Sequence, residues 1–350
     1  MRILFLTLYP DSAASPRYRV GQYLDYLRAQ GFDCTVSPAL TEAQFTRLAA
    51  AARNGSAARY HIAETANRLR QLFRARRYDL VFLQKGVLSA HVRGALALLR
   101  NRCQRLVYDF DDAVHLAAPN TLPGPWRSLE DPEQIRKIFG AADLVLAGNR
   151  WLENEAVSDG GRTQWLPTVI DTERFVPAAS PTDAFRIGWI GGPSTTASLK
   201  LLSHVVNDVA GAEWCAVGAD ANRLSCPQVE VRPWAYDTEV TEIQRFSVGV
   251  MPLVKDEWTR GKCALKTLLY MSCGVPCVAT PYGAVLDIIE SERTGLFADS
   301  PAQWRAAFER LRDPAERRRM GEAARAAVEF RFSLKRAAPR MADLLARTAA

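Results

Sequence analysis

No stretch of this chain approaches the ~18 consecutive apolar residues that a membrane-spanning helix needs. The opening MRILFLTLYP has one charge and a short apolar run before Pro10, too little for a signal-peptide core with its flanks, and it suits a buried first strand. The seven cysteines include no C-x-x-C pair, and Cys273 and Cys277 lie across a turn with no histidine beside them. A zinc site is not expected, and a reducing cytoplasmic setting is. Neither a G-x-G-x-x-G fingerprint nor a P-loop occurs, and there is no repeat of fixed period and no long low-complexity tract.

Acidic residues are also scarce in one region. Between Gln44 and Arg105 only Glu64 and Asp79 oppose thirteen basic residues, while the whole chain carries a net charge of +7. Such a block suits an anionic partner, whether lipid headgroups, phosphates or nucleic acid, although arginine is also a good helix former. Arg68, Arg70, Arg74, Arg76 and Arg77 fall on an expected helix with Leu69, Leu72 and Phe73 among them, the composition of a membrane-surface element. The same apolar residues would equally pack a solvated helix onto the core.

What the chain does contain is a regular alternation of strand and helix signals. Arg2–Leu8, Cys34–Ser37, Leu80–Leu83, Leu106–Asp109, Leu144–Ala147 and Trp165–Leu166 read as strands, with helices over Val20–Leu27, Ala43–Arg77 (broken at Asn54-Gly55-Ser56), Ala90–Leu99 and Ile135–Phe139. After the linker-like VPAASPT at Val176–Thr182 the pattern restarts. Strands are expected at Arg186–Ile190, Trp214–Val217, Val229–Val231, Val248–Leu253, Cys277–Ala279 and Leu296–Phe297. A helix is expected from the glycine turn through Val209, and others over Thr238–Phe246, Val285–Ile289 and Pro301–Ala349. The expected fold is α/β, two doubly wound Rossmann-like domains facing a cleft. The expected boundaries are 1–175, a linker at 176–182, 183–330, and a C-terminal helix at 331–350 that packs back on the first domain.

The most informative stretch is Arg260–Gly283, RGKCALKTLLYMSCGVPCVATPYG. A loop opened by Gly261 leads to a helix from Ala264, closed by Gly274 and Pro276, then a buried strand and a turn. Lys262 and Lys266 are one helical turn apart. With Lys262 at the helix start both would face one anion beside free N–H groups; otherwise they are an ordinary solvated pair. LKTLLYMSCGVPCVATPYG, with Ile288, Ile289 and Thr294-Gly295-Leu296 downstream, resembles the donor half of GT-B glycosyltransferases of the family-4 type. That family carries a Glu-x7-Glu motif ahead of its small-Gly-x-Pro turn. The turn is present as Cys273-Gly274-Val275-Pro276, but Gly261 and Leu269 stand where the two glutamates fall. Pro167-Thr168-Val169-Ile170-Asp171 is similar to the family's hinge.

The resemblance implies transfer of a sugar, with retention and without a metal or other cofactor, from a nucleotide-diphosphate sugar to a glycan or lipid-linked acceptor. It places the donor on the second domain. The expected contacts are the turn Gly191-Gly192-Pro193-Ser194, the loop bearing Trp234 and Tyr236, and the run Lys262, Cys263, Ala264, Leu265 and Lys266, with Lys262 steadying the leaving diphosphate. Asp256 and Glu257 stand near the place of the missing glutamate. On the first domain, Asp111 and Asp112 are the candidate catalytic carboxylates, as hydroxyl-orienting groups or as a base, and Arg17, Arg19 and His115 the acceptor-side candidates. Asp109-Phe110-Asp111 also resembles the metal motif of GT-A enzymes, but the donor-like signature lies far downstream of it. Two other readings remain open, a nucleotide-sugar epimerase of the same layout and a non-catalytic sugar or nucleic-acid binder. Nucleic acid is not the expected partner; an anionic inner-membrane face, met through Arg68–Arg77, is.

Overall fold

The structure is a computed structural model that describes residues 1–53, 57–116, 122, 124–179 and 184–350. The break expected at Asn54-Gly55-Ser56 and the end of the expected linker, residues 180–182, lie outside these residues. The chain divides into two compact units, Met1–Thr168 with Ala337–Ala350, and Val169–Arg336.

The first unit is built on a six-stranded parallel sheet. Its strands are β1 (Arg2–Thr7), β2 (Asp33–Pro38), β3 (Leu80–Gln84), β4 (Leu106–Phe110), β5 (Leu144–Ala147) and β6 (Thr163–Trp165), in the order β2-β1-β3-β4-β5-β6. β3, β4 and β5 are buried at every residue, which is why, Gln84 and Asp109 apart, they read as apolar runs, as strands of a parallel sheet covered on both faces do. The chain winds one way from β1 to β2 and the other way from β3 to β6. The crevice at such a reversal lies outside the carboxyl ends of β1 and β3, the usual ligand position in open α/β sheets.

The second unit repeats the plan with β7 (Arg186–Ile190), β8 (Glu213–Val217), β9 (Val229–Arg232), β10 (Val248–Met251), β11 (Cys277–Ala279) and β12 (Gly295–Phe297), ordered β12-β11-β10-β7-β8-β9. One face of this sheet packs Ile187, Trp189, Val248 and Val250 with Trp214, Trp304 and Phe308. On the sheet itself Gly249 makes room for an aromatic ring, since a Cβ there would sit 2.3 Å from the Tyr270 ring. Tyr270 Oη in turn accepts from Ile190 N at 2.9 Å, so the helix Leu265–Ser272 is pinned beneath the end of β7.

Three helices differ from the sequence expectation. The expected helix after the glycine turn is instead a 3-10 helix, Pro193–Leu202, followed by turns. Its short hydroxyl side chains explain the tighter coil: Thr195, Ser198 and Ser203 each donate to the carbonyl three residues back, at 2.8–3.0 Å. The helix expected over Ala90–Leu99 starts only at Ala95, after His91 (φ 47°) and Gly94 (φ 80°) turn the chain through the left-handed region. The first helix is interrupted at Val20 (φ −128°) and resumes as Leu24–Ala29.

Candidate functional site

In the second unit, four elements converge at the carboxyl ends of β7 and β8. Gly191 ends β7, and a Cβ on it would fall 2.5 Å from Lys266 Cε and 2.6 Å from the Trp189 ring. Gly218 ends β8 at φ +77°, and a Cβ there would lie 2.3 Å from Gly191 O and 3.0 Å from Trp234 Cβ. The Gly191 turn, Gly218, Trp234 and Lys266 thus share one small space that only glycines leave open. Lys266 Nζ lies 5.1 Å from the Trp189 ring centroid, close enough for cation–π attraction. Gly192 has nothing within 4 Å of its Cβ position, and Ser194 is exposed.

Lys262 and Lys266 do not form one helical pair. The helix begins at Leu265, with Ala264 at its N-cap in a left-handed conformation (φ 50°), and Lys262 lies in the loop before it. Lys262 Nζ is 5.9 Å from the Trp258 ring, whereas Lys266 meets the glycine turn. The N-terminus of Leu265–Ser272 has no acidic residue in its first turn and no side-chain cap, so its field remains favourable to an anion. Cys263 and Ala264 are buried and Leu265 is half-buried, so of that run the side chains open to solvent are Lys262, Leu265 and Lys266.

The two acidic residues near the place of the missing glutamate each have a partner of their own. Asp256 Oδ1 accepts from Thr259 N at 2.6 Å and caps the helix Glu257–Arg260, while Glu257 pairs with Arg260 at 3.7 Å. Leu269 and Gly261 are both buried. The aromatic loop is anchored by a group the sequence did not point to. Trp234 Nε1 donates to Glu239 Oε1 at 3.1 Å, and the buried Glu239 pairs with Arg174 at 3.2 Å. Arg174 lies 3.8 Å over the Tyr236 ring and donates to Tyr236 O at 2.7 Å.

In the first unit, Asp111 and Asp112 follow β4 and meet Lys85, which follows β3. Lys85 Nζ is 3.2 Å from Asp111 Oδ1 and hydrogen-bonds to Asp112 Oδ2. Ser15 Oγ donates to Asp111 Oδ1 at 2.8 Å and accepts from Gln84 Nε2 at 2.6 Å. Burial would raise the Asp111 carboxyl, but the Lys85 and Arg19 charges and the bonds from Ser15 and Lys85 outweigh it and hold it below its ordinary value. A base with a raised value is therefore not found at Asp111. Of the two carboxylates in Asp109-Phe110-Asp111, Asp109 is paired with Arg19 and Asp111 with Lys85, so each already faces a cationic side chain. Among the described residues no group of three or more His, Cys, Asp or Glu is placed to hold a metal.

Two acceptor-side expectations are corrected. Arg19 is 1% exposed, with Nε 3.1 Å from Asp109 Oδ2 and Nη1 donating to Leu166 O at 2.7 Å; a guanidinium sealed in this way holds the fold and is closed to an acceptor. His115 is buried beside Phe110, Phe139 and Trp151, with Nε2 3.3 Å from Glu155 Oε2, and burial lowers its value. It packs the core. Arg17, at the same helix, is half-buried, with Nη1 donating to Ser12 O at 3.4 Å.

The basic helix Ala57–Arg74 also differs in one arginine. Arg68 is 1% exposed, and it donates to Val87 O and Thr7 O, both at 2.8 Å. Arg70, Arg74, Arg76 and Arg77 are exposed. Leu72 is buried, but Ile62 (69%), Leu69 (41%) and Phe73 (63%) are exposed, and their spacing of seven and four residues puts them on one face. Among the described residues no helix is long and apolar enough to cross a membrane.

Residues 184–313 match the family described as Glycosyl transferases group 1. Sucrose-phosphate synthase from Thermosynechococcus elongatus has a similar fold, with a TM-score of 0.71 at 15% identity over 99% of this chain and 98% of that one. Anabaena HepE in complex with UDP-glucose superposes with a TM-score of 0.69 at 15% identity, over 99% of this chain and 100% of that one. A glycosyltransferase from Rickettsia africae gives 0.70 at 10% identity, over 99% and 98%. No curated protein matches.

Proposed function

We propose, on the premise that the chain is a GT-B fold protein related to the family-4, group 1 glycosyl transferases, that it moves a sugar from a nucleotide-diphosphate donor to a glycan or lipid-linked acceptor. The second unit takes the donor. The observation that carries this reading is the shared space at Gly191, Gly218, Trp234 and Lys266, beside an uncapped helix N-terminus. Backbone N–H groups and Lys266 suit the diphosphate there, with Lys262 arriving from the preceding loop. Trp234 and Tyr236 offer apolar faces to the base. HepE was solved with UDP-glucose, which makes a uridine diphosphate sugar the first donor to try.

The first unit takes the acceptor, and Asp111 and Asp112 meet its hydroxyls. Transfer proceeds with retention and without a metal, the diphosphate charge being met by lysines and N–H groups. The exposed Ile62, Leu69 and Phe73, flanked by Arg70, Arg74, Arg76 and Arg77, support peripheral contact with an anionic membrane surface at the cytoplasmic face. A lipid-linked acceptor fits that location. The test is incubation with nucleotide sugars with and without an added glycan. Acceptor-dependent release of nucleotide with formation of a glycosylated product is the expected result. An epimerised nucleotide sugar formed without acceptor, or no turnover of any donor, would overturn the reading.

A further inference from the structure

The second sheet reverses its winding between β7 and β10. From β7 the chain runs outward to β8 and β9, then returns to β10 and continues the other way to β11 and β12. All neighbouring strands are parallel, so one edge of the sheet collects every carboxyl end. The crevice of an open α/β sheet lies at such a reversal, outside the two strand ends that flank it. β10 pairs with β7 with Val248 opposite Ile187, which brings Met251 level with Ile190. One wall of the crevice is therefore the Gly191 turn. The other is the segment leaving β10, residues 252–264, which bears Trp258 and Lys262.

That segment is tied down along its length. Leu253 N donates to Thr280 Oγ1 at 3.1 Å, and Lys255 pairs with Asp299. Tyr282 Oη donates to Asp256 O at 3.0 Å, and the Gly283 backbone sits against Arg260, where a Cβ would fall 3.2 Å from Arg260 O. Asp256 caps the single turn Glu257–Arg260, whose Thr259 is buried while Trp258 stays 39% exposed. Lys262 Nζ lies 5.9 Å from the Trp258 ring centroid. A large ring held on a fixed loop loses little freedom when a ligand covers it.

Along the carboxyl edge the loops follow one another from β9, with Trp234 and Tyr236, through Gly218 after β8 and Gly191 after β7, to Trp258 after β10. From β9 to β10 is three strand spacings, about 14 Å. The edge thus carries aromatic rings at one end, backbone N–H groups and Lys266 in the middle, and an indole at the other end. A nucleotide-diphosphate sugar has its base, diphosphate and sugar in that order. One face of a pyranose is a row of C–H groups, and an indole face, negative by its quadrupole, attracts them while both surfaces leave water.

We propose that Trp258 is the platform for the sugar ring of the donor, a hexopyranose laid with its C–H face on the indole. This rests on the reading that the second unit takes a nucleotide-diphosphate sugar.

The test uses the full chain with UDP-glucose, GDP-mannose and dTDP-glucose, each beside its own nucleoside diphosphate. Calorimetry gives the affinities, and saturation-transfer NMR shows which ligand protons touch the protein. With the tightest-binding pair, the wild type should saturate the sugar ring protons as well as those of the base. Trp258→Ala should lose the sugar signals, keep those of the base, and bind the nucleotide sugar about fivefold more weakly, the loss expected for one aromatic contact. Its affinity for the nucleoside diphosphate should be unchanged, which also shows that the variant is folded. Trp258→Phe should restore the sugar signals. Sugar signals that persist in Trp258→Ala would overturn the assignment, as would equal weakening of the nucleotide sugar and the nucleoside diphosphate. A wild type that binds the nucleoside diphosphates but saturates no sugar proton would overturn it and leave the diphosphate site standing. Binding of no nucleotide at all would overturn the donor reading and this assignment with it.

Discussion

At the scale of single residues, the charges near the two sheet edges divide into sealed and open ones. Arg19 and Asp109 are sealed, and breaking a buried pair by removing one partner leaves an uncompensated charge. Asp109→Asn is expected to cost about 3–5 kcal/mol of stability, measured by urea denaturation. Lys262 is half-buried in a loop, so its loss should act on turnover instead. Lys262→Ala should lower kcat by about 10²–10³ with little change in Tm; near-normal turnover would remove it from the leaving-group site. Asp111 has a carboxyl held below its ordinary value in the fold, with burial opposing and the Lys85 and Arg19 charges prevailing. Its stabilising share is therefore complete above the ordinary carboxylate range and lost as pH falls through the lower folded value. In Lys85→Met the acid unfolding midpoint should move to higher pH, as followed by circular dichroism; an unmoved midpoint would show that Lys85 does not hold the pair.

At the scale of elements, legibility followed burial. Strands β5, β7 and β11 stand where unbroken apolar runs placed them, because a strand covered on both faces has no polar alternation to blur its ends. The 3-10 helix at Pro193–Leu202 looks like an ordinary helix in sequence, since its apolar spacing is helical and the hydroxyls that tighten it act locally. The sequence places Arg68, Arg70, Arg74, Arg76 and Arg77 on one expected amphipathic helix. Arg68 points inward instead, because the carbonyls of Val87 and Thr7 need a donor there, which sequence spacing does not reveal. The exposed remainder, with Ile62, Leu69 and Phe73, keeps both parts of a membrane-surface signal. Co-sedimentation with anionic vesicles should be strong at low salt and weak with neutral lipid or in roughly molar salt. Charge reversal at Arg74, Arg76 and Arg77, or Phe73→Ser with Leu69→Ser, should abolish it while UDP-glucose affinity is unchanged. A wild type that ignores anionic vesicles would leave this helix as a solvated surface.

At the scale of the whole molecule, the two parallel sheets are legible from the restart of the βα pattern near Arg186, and the likeness of the second unit to the group 1 glycosyl transferases from the Cys273–Pro276 turn. The composition of the proposed donor site is legible only in part. Gly191 and Lys266 were marked separately, but their meeting depends on Trp189 and Tyr270 filling the sheet beneath them. Lys85, Arg174 and Glu239 carried no motif, and each is recruited through a contact distant in sequence. With lysines and backbone N–H groups at the donor site, transfer should persist in excess EDTA. Complete loss restored by Mn²⁺ would instead demand a cation site. The most direct measurement is calorimetric titration of the full chain with UDP-glucose, GDP-mannose and dTDP-glucose, alongside Gly191→Val and Lys266→Ala. At least one nucleotide sugar should bind with a Kd below about 1 mM and at least about tenfold more weakly in each variant, the loss expected from one charged contact. Binding of none, or binding indifferent to both substitutions, would contradict a nucleotide-sugar site at the end of β7.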